Sequence, residues 1–178
     1  MVRILLAGQG GQGVLSAGKM LAESGLREGK EVSYLPAYGP EMRGGTANCS
    51  VIISEEPIAS PLCNQPDVLV AMNAPSFHKF APRVRAGGII LVNGSMSDCY
   101  AGREDVTVYD IPANDIAMDA GDIRSANTVI MGALCAATGV VRDKSILNCL
   151  NEKFVGKPAL MEINERAFAL GRQAAEKR

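Results

Sequence analysis

The stretch Gly8-Gln-Gly-Gly-Gln-Gly13 places Gly8, Gly10 and Gly13 at G-x-G-x-x-G spacing, between an apolar run and a helix-like pattern. Glycines there permit a tight turn, and backbone N–H groups at the positive end of the following helix attract an anion. The chemistry on offer is anion binding by Gly8, Gly10, Gly11, Gln12 and Gly13. Two companions of a nucleotide site are missing. The helix is led by Gln12 and not by a Lys-Ser/Thr pair, so a triphosphate has no cation clamp. The second strand ends in Leu35, Pro36 and Ala37, where a dinucleotide site needs Asp or Glu for the ribose hydroxyls, and Glu31 stands at the opposite end. Three uses of the loop stay open: a structural turn or protein contact, an anion of some other ligand, and a bound dinucleotide.

A second unusual stretch is Tyr38, Gly39, Pro40, Glu41, Met42, Arg43, Gly44 and Gly45. Its glycines allow backbone turns closed to other residues, Pro40 stiffens the middle, and Glu41 and Arg43 offer opposite charges. A polar surface turn and a partner-contacting loop are the two readings. No catalytic residue emerges elsewhere. His78, the only histidine, lies on a short helical pattern with no partner legible for general-base work. Asn127 and Thr128 open a helix, where they serve either its first turn or a polar contact to a neighbouring subunit. The five cysteines form no Cys-x-x-Cys pair, which points to reduced, buried thiols and to no metal or cluster site on this chain.

The elements that position these residues follow from the patterning. "VRILLA" is a continuous apolar run closed by glycine, as in a strand buried on both faces. Small and apolar residues at three- and four-residue spacing from Val14 give a helix, and "VSYL" begins the next strand. "TANCSVIIS" alternates as a half-exposed strand, and "DVLVAM", "GIILVN" and "VTVYDI" supply three more, the first two separated by a helix from Ala74 to Arg85. Beyond Pro112 three helices follow: Ser125 to Thr138, Asp143 to Phe154 with Asp143 as cap, and Pro158 to about Glu176. The expected fold is a three-layer α/β/α domain over residues 1–178, with a mainly parallel twisted sheet of about six strands and a helical C-terminal third. With 47% hydrophobic residues and a net charge of −1, the chain suits one globular core and offers no electrostatic footprint for nucleic acid or an anionic membrane. Its apolar runs are shorter than the ~20 residues of a membrane span, and the expected location is the cytoplasm.

GQGGQGV at the first helix, YGPEMRGG after the second strand and NTVIMGAL from Asn127 to Leu134 together resemble the gamma subunit, or gamma domain, of the 2-oxoacid:ferredoxin oxidoreductases. The length, the GGIILVN strand and the INERAFALGRQAA helix fit too, so the resemblance covers nearly the whole chain as a single gamma-type domain. It is most similar to the short stand-alone gamma subunits of the 2-oxoglutarate enzymes. The resemblance implies a complex that decarboxylates a 2-oxoacid on thiamine diphosphate, passes electrons through 4Fe-4S clusters to ferredoxin, and forms acyl-CoA and CO2. Thiamine diphosphate, Mg2+ and the clusters are implied on partner alpha, beta and, in some complexes, delta subunits, because this chain lacks the Gly-Asp-Gly signature; "GDI" from Gly121 is no match. Assembly and contact with coenzyme A are the roles left for this chain, which is expected to be inactive alone. Tyr38 and Arg43 are the expected anchors of the docking loop, Asn127 is a further interface candidate, and Arg43 has a coenzyme A phosphate as its other option. Pyruvate, branched-chain oxoacids and indolepyruvate stay open beside 2-oxoglutarate, as does dimerisation of the chain expressed alone. A free-standing dinucleotide-binding oxidoreductase and an anion-sensing binding module are the rival functions.

Overall fold

The computed structural model describes residues 1–38, 46–96 and 102–176. Six strands form one sheet: β1 (Val2–Gln9), β2 (Glu31–Tyr38), β3 (Thr46–Ser54), β4 (Val68–Ala71), β5 (Ile89–Asn93) and β6 (Thr107–Ile111), in the order β2-β3-β1-β4-β5-β6. Strands β1, β4, β5 and β6 are parallel neighbours, with Ile4 opposite Val68, Val68 opposite Ile89 and Ile89 opposite Thr107. The other half is antiparallel: β3 runs against both β1 and β2, with Ile4 opposite Val51 and Tyr34 opposite Val51. A mainly parallel sheet therefore carries an antiparallel β2–β3 pair on one side. Because β3 is inserted between β1 and β2, it is more buried than its alternating pattern suggests. Cys49, Val51, Ile52 and Ile53 are all buried, and only its first three residues and Ser50 approach solvent.

Two apolar cores lie on opposite faces of the sheet. On the front, Ile4, Leu6, Val51, Val70 and Leu91 meet α1 (Val14–Arg27), α3 (Ala113–Ala120), α4 (Ala126–Thr138), α5 (Asp143–Lys153) and α6 (Pro158–Glu176). On the back, Leu5, Ala7, Leu69, Ala71 and Ile90 meet Phe77 and Phe80 of the short helix α2 (Ala74–Phe80) and the 3-10 turn that follows it. The first ten residues of α4 are all buried, because the helix is wedged between the sheet and α6. Small residues make that wedge possible: a Cβ on Gly132 would strike the Phe168 carbonyl, and one on Gly171 would strike the Val129 carbonyl.

Several boundaries move relative to the sequence expectation. The helix expected from Ala74 to Arg85 stops being α-helical at Phe80, where Pro82 forces a 3-10 turn over Ala81–Arg83. Helix α3 lies outside the sequence expectation, because its run ANDIAMDA is short and carries three polar residues in eight; it forms by laying Ala113, Ala117 and Ala120 on the front core. The cap of α5 is Arg142 and not Asp143, which lies inside the first turn. No helix among the described residues is long and apolar enough to cross a membrane.

Candidate functional site: the first-helix groove

Helix α1 leaves β1 toward the front face and α2 leaves β4 toward the back, so the crevice between the ends of these two parallel strands is the switch point where open α/β sheets bind ligands. Here that crevice is occupied by a side chain. The Gln12 Oε1 atom accepts from the Gln9 N–H at 2.9 Å and from Asn73 Nδ2 at 3.3 Å, and its Nε2 donates to the Met72 carbonyl at 3.1 Å. Gly8 makes room for the amide: a Cβ there would lie 2.6 Å from Gln12 Oε1 and 3.0 Å from Met72 Cβ. The strand beside β1 that should carry a ribose-binding acid is also displaced, since β3 intervenes and puts β2 about 10 Å from β1. Both features oppose a dinucleotide in this crevice.

The start of α1 is nevertheless open. Gly11 and Gly13 both adopt left-handed conformations, at φ 96° and 73°, which glycine reaches without strain. Gly13 is the N-cap and brings no capping side chain; the first helical bond runs from the Ala17 N–H to the Gly13 carbonyl at 2.9 Å. The N–H groups of Val14, Leu15 and Ser16 thus project from the helix end, where the backbone dipole favours an anion. Next to them stands Asn127, buried, with Nδ2 3.5 Å from the Gly13 carbonyl. It ties the starts of α1 and α4 together from within the chain. Its neighbour Thr128 donates to Asn164 Oδ1 at 2.7 Å.

A groove in two arms runs past this helix end. One arm, about 220 Å³, is lined by Gly11, Gln12, Asn114, Ile123, Arg124 and Asn127. The other, about 260 Å³, includes Gly13, Ser16, Asp122, Arg124, Asn127 and Lys153. Lys153, at the end of α5, donates to Ser16 Oγ at 2.7 Å and lies 5.4 Å from the centre of the Phe154 ring. Partial burial lowers its pKa below the ordinary lysine value. The Ser16 hydroxyl accepts from Lys153, so its own proton is free for a ligand. Ser16 and Lys153 stand far apart in sequence, and Arg124 belongs to a 3-10 turn without a motif; no local pattern announces any of them. The glycine spacing marks only the loop they surround.

The other candidate residues are placed as follows. His78 is exposed, with its ring edge-on to Phe77 at 5.5 Å. The four described cysteines, Cys49, Cys63, Cys135 and Cys149, are free and buried, and burial pushes the thiols of Cys49 and Cys135 up to about 12. Among the described residues no three His, Cys, Asp or Glu side chains converge to hold a metal. Met72 and Met131 are core residues. Tyr38 ends β2, while Gly39, Pro40, Glu41, Met42, Arg43, Gly44 and Gly45 lie outside the described residues.

The sequence model of the pyruvate ferredoxin/flavodoxin oxidoreductase family matches residues 3–174. The chain belongs to this family. It is 42% identical, over 99% of its length, to the ketoisovalerate oxidoreductase subunit VorA of Methanothermobacter marburgensis, covering 37% of that protein. It is 34% identical to the 2-oxoglutarate synthase subunit KorC of Methanocaldococcus jannaschii, covering 97% of this chain and 93% of that one. The chain therefore spans just over a third of the length of the VorA relatives and nearly the whole of the KorC relative. Its fold superimposes with a TM-score of 0.93 and 27% identity on the 2-oxoglutarate:ferredoxin oxidoreductase from Magnetococcus marinus, solved with 2-oxoglutarate, coenzyme A and succinyl-CoA bound; the match covers 99% of this chain and 31% of that one. The fold also superimposes along the whole of both chains, with a TM-score of 0.82 and 28% identity, on the gamma subunit of the keto/oxoacid ferredoxin oxidoreductase from Geobacter sulfurreducens.

Proposed function

We infer that the chain is the gamma subunit of a thiamine-diphosphate-dependent 2-oxoacid:ferredoxin oxidoreductase, a complex that forms acyl-CoA and CO2 and reduces ferredoxin. Its share of the work is to hold the diphosphate of coenzyme A at the start of α1 and to dock on the subunits that carry thiamine diphosphate, Mg2+ and the iron–sulfur clusters. One observation carries the binding role: the uncapped end of α1 opens into a groove that also presents the Ser16 hydroxyl, Lys153 and Arg124. Helix N–H groups plus two side-chain cations match the charge and donor needs of a diphosphate. The chain supplies binding and orientation; decarboxylation and electron transfer belong to groups on its partners. The YGPEMRGG loop, with Tyr38 and Arg43 as anchors, is the proposed docking element.

In the complex reconstituted with its partner subunits, Lys153→Ala is expected to raise KM for coenzyme A about tenfold while leaving kcat nearly unchanged, the loss typical of one charge-assisted contact. An unchanged KM would move the coenzyme A site away from this groove. For the oxoacid, the KorC relative, matched along 93% of its length, supports 2-oxoglutarate. The higher identity to the VorA subunits favours a branched-chain 2-oxoacid as the second reading. Side-by-side turnover of 2-oxoglutarate, 2-oxoisovalerate and pyruvate by the reconstituted complex separates them.

A further inference from the structure

Arg124, the cation shared by both arms of the groove, is already held by a carboxylate of its own chain. Its Nε lies 3.1 and 2.9 Å from the two oxygens of Asp122, its Nη2 lies 2.6 Å from Oδ2, and its backbone N–H donates to Oδ1 at 2.9 Å. The pair is lopsided: the Asp122 side chain is 17% exposed and that of Arg124 81%. Asp122 is anchored at the head of the 3-10 turn, which it caps, while the guanidinium reaches into solvent beside the groove. Pairing with Arg124 holds the Asp122 carboxyl below the usual aspartate range, so it is charged at neutral pH.

A carboxylate fixed in an anion-binding groove is a competitor of the ligand. Tethered next door along the chain, it acts on Arg124 as if present at millimolar concentration or more. A free monocarboxylate gains nothing by replacing it. A diphosphate brings more charge, and it engages Lys153 and the α1 end at the same time.

We propose that Asp122 is an internal competitor that reserves Arg124 for ligands of at least two negative charges, so that the groove selects diphosphate esters and rejects monocarboxylates. The proposal rests on the diphosphate-binding reading of the groove. It makes Asp122 a specificity-determining residue that touches no ligand and acts through Arg124.

The test is calorimetric titration of the full chain with inorganic pyrophosphate, in the presence and absence of acetate. Asp122→Asn, which keeps an oxygen for the Arg124 N–H, is expected to bind pyrophosphate about fivefold more tightly, the scale of releasing one exposed ion pair. Acetate, without effect on the wild type, becomes a competitor in this variant. Asp122→Ser, which also retains a capping oxygen, should behave alike and guards against a folding defect in either. In an Arg124→Gln background the same substitutions should give no gain. Unimproved affinity in Asp122→Asn, or an equal gain without Arg124, overturns the proposal. Wild-type pyrophosphate binding that Lys153→Ala leaves intact overturns the groove reading itself, and with it the role of Asp122.

Discussion

At the scale of single residues, Gln12 decides what the glycine loop is for. A G-x-G-x-x-G turn ordinarily leaves its strand-end N–H groups for a ligand; here one side-chain amide satisfies the Gln9 N–H and the Met72 carbonyl and fills the crevice. Gln12→Ala is therefore expected to cost about 2 kcal/mol, because both backbone groups lose their partner. For a chain of this size that is a fall in Tm of about 4–8 °C, read in a thermal melt at neutral pH. If Gln12 were chiefly a ligand contact, the melt would be unchanged and coenzyme A affinity would fall instead. The glycines were legible in the sequence because their conformational demand is local. The occupancy of the crevice was not, since it depends on Met72 and Asn73, which follow the end of β4 some sixty residues away.

At the scale of elements, the junction of α1 with α5 shows one helix capped by another. Arg142, the N-cap of α5, offers no side-chain cap. Glu28, at the C-cap of α1, provides the missing carboxylate, accepting from the Arg142 N–H at 2.6 Å and the Ser145 hydroxyl at 2.7 Å, with Lys30 Nζ at 3.1 Å. Burial alone pushes the Glu28 carboxyl up, but the Arg142 N–H, the Ser145 hydroxyl and Lys30 outweigh it and hold the pKa below the ordinary value of 4.5. A depressed folded-state pKa gives stability that is complete above the unfolded value and is lost as pH falls through the folded one. Glu28→Gln should thus lower Tm at pH 7 by about 2–4 °C, the value of one cap. The two proteins should converge as pH falls below the ordinary glutamate range and through the depressed folded-state value, where the wild-type carboxyl takes up its proton. Melts across that range check both the sign and the window. The sequence points to Asp143 as the cap of α5, from neighbours in the chain; the actual cap comes from a residue 114 positions away.

At the scale of the whole molecule, the helices are unevenly shared. Among the described residues five α-helices pack on the front face of the sheet, and one short helix with its 3-10 turn covers the back. The YGPEMRGG loop joining β2 to β3 lies outside the described residues. If that loop is the docking element, Arg43→Ala should reduce co-purification with tagged partner subunits and reduce oxoacid turnover, while Tm of the chain alone stays within about 1 °C, because a loop-borne anchor contributes to binding more than to the core. A lowered melt with normal assembly would make the loop structural.

The sequence by itself determined the strands, most helices and the glycine turn, because apolar periodicity and glycine conformation are set within a few residues. It also carried the family, whose motifs cover nearly the whole chain. The tertiary structure decided the rest. Inserting β3 between β1 and β2 is a choice of strand neighbours that no local pattern encodes, since an alternating strand pairs equally well in either direction. The groove is decided in the same way: Ser16, Arg124 and Lys153 belong to three separate segments, and only packing α5 against α1 and α4 against the sheet brings one hydroxyl and two cations to one helix end. Charge and donor groups are written in the sequence, but their convergence is a property of distance, which the fold alone sets.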